Sequence, residues 1–277
     1  MSISISFEVY PPRDSDGAQS LYEAIDNLGK LNPSFISVTF GAGGSDTNGS
    51  IEVLNYIREQ TSAIPLAHLT CVGTTKAQVQ SILGSFFEAG IQDFLALRGD
   101  FPQGQQQLPE ESLRSASELV QVIRGLERSG RIAVAAFPNG HPESGTSRAD
   151  LLALKAKQDA GADFAITQLF FYADDYFDFV ELAKSNGITI PIIPGIMPII
   201  SDKRLHRVLE LTGEREPIEL SRSLTDAADS AARKEIGISW ATGLVKELVS
   251  RGAPGIHLYA FNEHKNVTEV LRRAGLV

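Results

Sequence analysis

Eight short apolar runs, each ending in a polar, aromatic or glycine-rich turn, alternate with helix-periodic segments along this chain. They lie near residues 3–10, 35–40, 66–71, 93–98, 131–137, 163–168, 190–196 and 256–261. Between them, groups such as Leu21-Ile25-Leu28 and Val120-Ile123-Leu126 carry the spacing of an amphipathic helix. Glu88-Ala89-Gly90 and Ala160-Gly161-Ala162 place helix-ending glycines just before the fourth and sixth runs. Eight strand-then-helix units predict a parallel, closed sheet, an α/β fold of the (β/α)8 TIM-barrel class. Such a barrel gathers its chemistry at the C-terminal ends of its strands.

The 277 residues are close to the roughly 250 typical of one such barrel. One stretch breaks the rhythm. Residues 201–254, between the seventh and eighth strands, hold Asp202 to Leu211, a Pro217-led segment and a long helical pattern from Asp226 to Ser250. These are expected as extra helices on the barrel's flank. No linker or change of composition interrupts the chain, so residues 1–277 are expected to form a single domain.

A formal charge of −9 with no Lys/Arg cluster argues against nucleic acid or an anionic membrane as partner. No run approaches the ~18 apolar residues of a membrane span, and the N-terminus has no signal-peptide pattern. Cys71 is the single cysteine, which rules out an intrachain disulfide and fits a reducing compartment; it reads as a small buried apolar residue. A cytoplasmic protein is expected.

The first run, Ile5-Ser6-Phe7-Glu8-Val9-Tyr10, contains a carboxylate. An ionised, unpaired carboxylate inside an apolar strand costs several kcal/mol, so Glu8 needs a purpose or a partner. Enclosure there is expected to raise its pKa. Leu97-Arg98-Gly99-Asp100 offers a planar donor fork, a close backbone approach and a carboxylate; an ordinary Arg–Asp ion pair is equally consistent. Phe137-Pro138-Asn139-Gly140-His141-Pro142 fixes a loop that projects His141, or is simply a rigid turn. Asp150 is placed to cap the following helix, and Lys157 lies two turns along the same face. Thr39-Phe40-Gly41-Ala42-Gly43-Gly44-Ser45 is a glycine-rich turn without dinucleotide or Walker A spacing. The five histidines lack metal-site spacing, so no metal is expected.

Seven motifs in order carry a resemblance. They are Phe7-Glu8-Val9-Tyr10-Pro11-Pro12-Arg13, Val38-Thr39-Phe40-Gly41-Ala42, Ala67-His68-Leu69-Thr70-Cys71, Ala96-Leu97-Arg98-Gly99-Asp100, His141-Pro142-Glu143, Ala165-Ile166-Thr167-Gln168-Leu169-Phe170-Phe171 and Ile193-Pro194-Gly195-Ile196-Met197-Pro198. From about residue 5 to residue 276 the chain resembles the catalytic barrel of methylenetetrahydrofolate reductases. The resemblance implies reduction of 5,10-methylenetetrahydrofolate to 5-methyltetrahydrofolate by NADH or NADPH through bound FAD, with ping-pong kinetics. It implies Glu8 as general acid, Asp100 beside flavin and pterin, and Gln168 in contact with substrate and nicotinamide. Phe171 is a candidate substrate wall, with packing as its alternative role. Flavin contacts are implied for Thr39, Phe40, Ala42, His68, Leu97, Arg98, Gly99, Asp100, Ala136, Phe137, His141, Asp150 and Lys157. Folate and nicotinamide are the implied small-molecule partners, together with assembly into a homo-oligomer.

The chain departs from the familiar bacterial pattern in several places. Phe40 and Phe137 stand where tyrosine is frequent, Ser115 replaces a tyrosine, and Ala153 and Ala156 occupy places of polar flavin contacts. Glu263 stands where an arginine is available for the folate's acidic tail. Three alternatives remain at this stage: direct hydride transfer without flavin, a barrel lyase or transferase, and a non-catalytic folate-binding protein.

Overall fold

The structure is a computed structural model that describes residues 3–12, 15–39, 47–100, 110–144 and 147–277. Strand and helix alternate from the start: β1 (Ser4–Val9), α1 (Ser15–Gly29), β2 (Phe35–Val38), α2 (Thr47–Gln60), β3 (Ile64–Thr70) and α3 (Lys76–Glu88). The alternation continues through β4 (Asp93–Leu97), α4 (Ala116–Arg124), β5 (Ile132–Ala136), α5 (Ser147–Asp159), β6 (Phe164–Thr167) and α6 (Ala173–Ser185). Then come β7 (Ile192–Ile193), β8 (Gly195–Ile196), α7 (Asp202–Thr212), α8 (Ile218–Asp226), α9 (Ser230–Ser250), β9 (Gly255–Tyr259) and α10 (His264–Ala274).

These nine strands pair in parallel in the order β7-β6-β5-β4-β3-β2-β1-β9-β8. The seventh strand expected from sequence is therefore two short pieces. Pro194 divides them because it has no N–H to give to a ladder, although its carbonyl accepts from His257 N at 2.9 Å. Since β7 pairs with β6 and β8 with β9, the two ends of the order meet across Pro194. The sheet thus closes as a (β/α)8 barrel.

Period-two alternation sorts the side chains. Phe7 and Val9 of β1 join Leu21, Ile25 and Leu28 of α1 in the large core between sheet and helices. Phe35, Leu66, Leu95, Ala133, Phe164 and Ile166, from five neighbouring strands, form a separate cluster inside the barrel. Each of the leucine, isoleucine, valine and phenylalanine side chains among them contributes ~1.5–3 kcal/mol on burial. The three extra helices appear where expected, as α7, α8 and α9. Leu205, Val208, Leu220 and Leu224 from the first two pack against Leu169, Phe171 and Ile199. No helix among the described residues is long and apolar enough to cross a membrane.

Candidate active site

The same alternation that sends Phe7 outward turns Ser6 and Glu8 inward. Glu8 Oε2 lies 3.4 Å from His68 Nε2 on β3 and 3.9 Å from His257 Nε2 on β9. The side chains of both imidazoles are almost completely enclosed, and that of Glu8 retains 19% exposure. Burial pushes the Glu8 carboxyl up, but His68 and His257 together outweigh it and leave the group below its ordinary value. This corrects the sequence-based expectation of a raised pKa. Burial was legible in the apolar strand; the two imidazoles came from distant strands and were not. Asp100 is not among the influences on it. Burial likewise pulls His68 below its ordinary value, against the pull of Glu8.

Tyr259 completes this layer. Its hydroxyl donates to Thr167 O at 2.8 Å, and burial, with the Glu8 charge adding, pushes its pKa well up. Opposite it, a Cβ on Gly195 would fall 2.4 Å from Thr167 O and 2.9 Å from the Tyr259 ring, so only glycine admits this approach. His257 and Tyr259 were missed from sequence. Their signal was the alternation Ile256-His257-Leu258-Tyr259, which places both on the face that His68 and Glu8 share.

A second cluster gathers cations. Arg98 donates to Glu143 Oε2 at 2.5 Å, and Gly99 beside it has φ +84, with an added Cβ only 3.0 Å from Thr70 Cβ. His141 N and Ser144 Oγ donate to Asp150 Oδ2 at 3.1 and 2.8 Å. Asp150 thus ties down the His141 loop from the first turn of α5. The Phe137 ring meets His141 edge-on at 4.7 Å, and Lys157 Nζ sits 5.8 Å from its centroid. Lys157 donates to Ala135 O at 2.8 Å. Burial pulls its pKa down to about 8, with Asp150 opposing and Arg98 reinforcing. Arg98, Phe137, His141, Asp150 and Lys157, scattered over sixty residues of sequence, therefore stand together.

The other candidates are placed as follows. Asp100 is exposed beyond Gly99, while Leu97 and Gln168 are half-buried at the ends of β4 and β6. Gln168 Oε1 accepts from Leu169 N at 2.9 Å. Thr39 holds its strand end in place, its N–H donating to Val9 O at 3.1 Å. Ala136 is buried. Phe171 is 5% exposed and packs in the cluster under α7 and α8, which favours its packing role. Phe40 and Ala42 lie outside the described residues. Ser115 caps α4, accepting from Glu118 N at 3.2 Å, which gives this departure from the familiar pattern a local purpose. Cys71 is buried, and burial pushes its thiol up to about 12.

A family model described as methylenetetrahydrofolate reductase matches residues 1–275. The chain belongs to this family. Among its relatives, the 5,10-methylenetetrahydrofolate reductase of Escherichia coli (strain K12) is 37% identical over 94% of this chain and 86% of its own length. Methylenetetrahydrofolate reductase (NADH) 1 of Arabidopsis thaliana is 35% identical over 99% of this chain but only 48% of its own. The fold is shared with an uncharacterized protein of Clostridium thermocellum described as binding two copies of 5-methyl-5,6,7,8-tetrahydrofolic acid. That structure aligns with TM-score 0.67 and 16% identity, covering 99% of this chain and 94% of the other. Family membership carries oxidoreductase activity on methylenetetrahydrofolate. For that chemistry the barrel offers two separate assets: a carboxyl flanked by imidazoles near the axis, and a cationic cluster at the ends of β4 and β5 and on α5.

Proposed function

We propose that this barrel reduces 5,10-methylenetetrahydrofolate to 5-methyltetrahydrofolate with NADH or NADPH as hydride source and FAD as bound carrier, in a ping-pong cycle. The printed name of the Arabidopsis relative supports NADH. The observation that carries the reading is the carboxyl of Glu8, facing inward between His68 and His257. A structural carboxylate would pair with an arginine or lysine; this one faces two imidazoles, the side-chain type suited to proton exchange.

The second cluster fits a flavin dinucleotide. A diphosphate needs local cations in an acidic chain, and Arg98 and Lys157 supply them. Arg98 already holds an anionic oxygen, that of Glu143. Asp150 and His141 fix the loop beside them, and the Phe137 edge and the Gly99 backbone shape the wall. We assign the flavin contacts to Thr39, Phe40, Ala42, His68, Leu97, Arg98, Gly99, Asp100, Ala136, Phe137, His141, Asp150 and Lys157. Held by these residues, FAD would supply the hydride-carrying chemistry between nicotinamide and folate.

The protein's own part is to make the folate reducible. The substrate's methylene carbon bridges two nitrogens in a five-membered ring and resists hydride. Glu8 protonates the departing N10, which opens the ring to a 5-iminium cation that accepts hydride. A folate seated over Glu8 removes its remaining water, and burial then works more strongly toward the protonated acid. Asp100 stabilises the iminium charge as it develops, and Gln168 orients folate and nicotinamide in turn. One barrel domain suffices for this cycle. The test is an absorbance spectrum of the purified protein followed by anaerobic NADH titration. A flavin spectrum bleached by NADH, with parallel double-reciprocal plots, is expected. A colourless, active protein with intersecting plots would instead mean direct hydride transfer.

A further inference from the structure

Ser6 and Glu8 share the inward face of β1, in register with His257 and Tyr259 of β9. His257 is fully buried. Its Nδ1 lies 2.9 Å from the Ser6 hydroxyl oxygen. Its Nε2, 3.9 Å from Glu8 Oε2, has no hydrogen-bond partner. A buried nitrogen left this way bears the cost of its lost hydration, so the position asks for a reason. The Ser6 hydroxyl also reaches Ile256 O at 3.5 Å. With its hydrogen turned to that carbonyl, Ser6 accepts Nδ1–H, and Nε2 becomes the nitrogen that exchanges a proton with Glu8. Phe35 stacks on the imidazole at 5.6 Å and Tyr259 meets it edge-on at 5.3 Å, which fixes the ring's orientation.

We propose that His257, oriented by Ser6, is a positioning residue that holds the proton with which Glu8 is recharged, the one proton the reduction consumes. The proposal rests on Glu8 being the acid. The imidazolium N–H at Nε2 breaks and an O–H forms on the Glu8 carboxylate, leaving a neutral imidazole and a neutral carboxyl. Glu8 then passes that proton to N10 as the N10–methylene bond breaks and returns to carboxylate. Water restores the imidazolium through Glu8, the more exposed partner. Hydride from the nicotinamide and this proton together balance the conversion of methylene to methyl. Among the described residues, the other ionisable groups facing Glu8 are His68 of β3 and Tyr259 of β9. Burial lowers the proton affinity of His68 and keeps Tyr259 neutral.

Nitrogen-15 NMR of the full chain with labelled histidine tests this, His257 being assigned with His257→Gln. Neutral His257 is expected as the Nδ1–H tautomer, and Ser6→Ala, a small change in a buried site, should erase that preference. Glu8→Gln should lower the proton affinity of His257 by about tenfold or more, the usual effect of removing an adjacent opposite charge. In Ser6→Ala the pH profile of folate reduction should move with the His257 titration. An Nε2–H tautomer, or a His257 titration that ignores Glu8→Gln, overturns the proposal. If Glu8→Gln also abolishes folate reduction while His257 is unmoved, the store alone fails. If folate reduction survives while His257 shifts, the acid reading fails and the pair is merely structural.

Discussion

Glu8 Oε2 and His68 Nε2 approach to 3.4 Å although β2 lies between their strands. Only a closed barrel brings these positions together, because every second residue of each strand points to one interior. The contact changes the character of the carboxyl. Enclosure alone favours the neutral acid, whereas the imidazoles hold Glu8 below its ordinary value. The acid role proposed for Glu8 therefore requires that substrate binding favour its protonated form.

Stability should fall on acidification. His68 is held below its ordinary 6.5, so its contribution is present above that value and is lost as pH falls through the folded value. Glu8 is held below its ordinary 4.5, so its contribution too is lost on the acid side, at lower pH. Denaturant midpoints measured across this range should decline in two stages. His68→Gln should flatten the earlier stage and, by removing one of the two imidazoles that hold Glu8 down, weaken the later one as well; an unchanged early decline would remove His68 as its source.

Lys157 should govern flavin affinity. Its ammonium is enclosed, not a surface group, and burial brings its pKa to about 8. Lys157→Met keeps the chain length and removes the charge. A charge-assisted bond of ~1.5–3 kcal/mol corresponds to roughly 10- to 100-fold weaker FAD binding. In the parent, affinity should weaken as pH rises through about 8 and the amine loses its proton. Fluorescence titration of apoprotein with FAD measures both, and a pH-independent affinity would place Lys157 outside the phosphate contacts.

Glu143 competes for Arg98. Its carboxylate accepts from Arg98 Nη2 at 2.5 Å, at a position half open to water. A phosphate oxygen arriving at Arg98 must displace it. Glu143→Gln should therefore tighten FAD by up to about fivefold, the ~1 kcal/mol limit for an exposed pair. Weaker binding in that variant would show that Glu143 positions Arg98 instead of blocking it.

Much of this architecture was written in the chain. The eight apolar runs mark the strands because alternation and helix-ending glycines are local signals. Pro194 split the seventh because one missing N–H interrupts a ladder that the apolar pattern alone cannot reveal. The cationic cluster was legible residue by residue, through motifs at the ends of β4 and β5 and one helix face. What escaped was pairing across the barrel. His257 belongs to the last strand and meets the first through register, and nothing within either segment announces the other. The direction of the Glu8 shift was misjudged for the same reason: burial is a property of a strand, but its ionisable neighbours are a property of closure.

The most direct test of the whole account is Glu8→Gln, assayed anaerobically as two half-reactions. The substitution keeps size and loses the transferable proton. Reduction of the bound flavin by NADH needs no proton from Glu8 and should persist. Reoxidation by methylenetetrahydrofolate should fall by at least the roughly 10²–10⁴ associated with general acid catalysis. Reoxidation within about tenfold of the parent, below that range, would contradict the assignment of Glu8 as the acid.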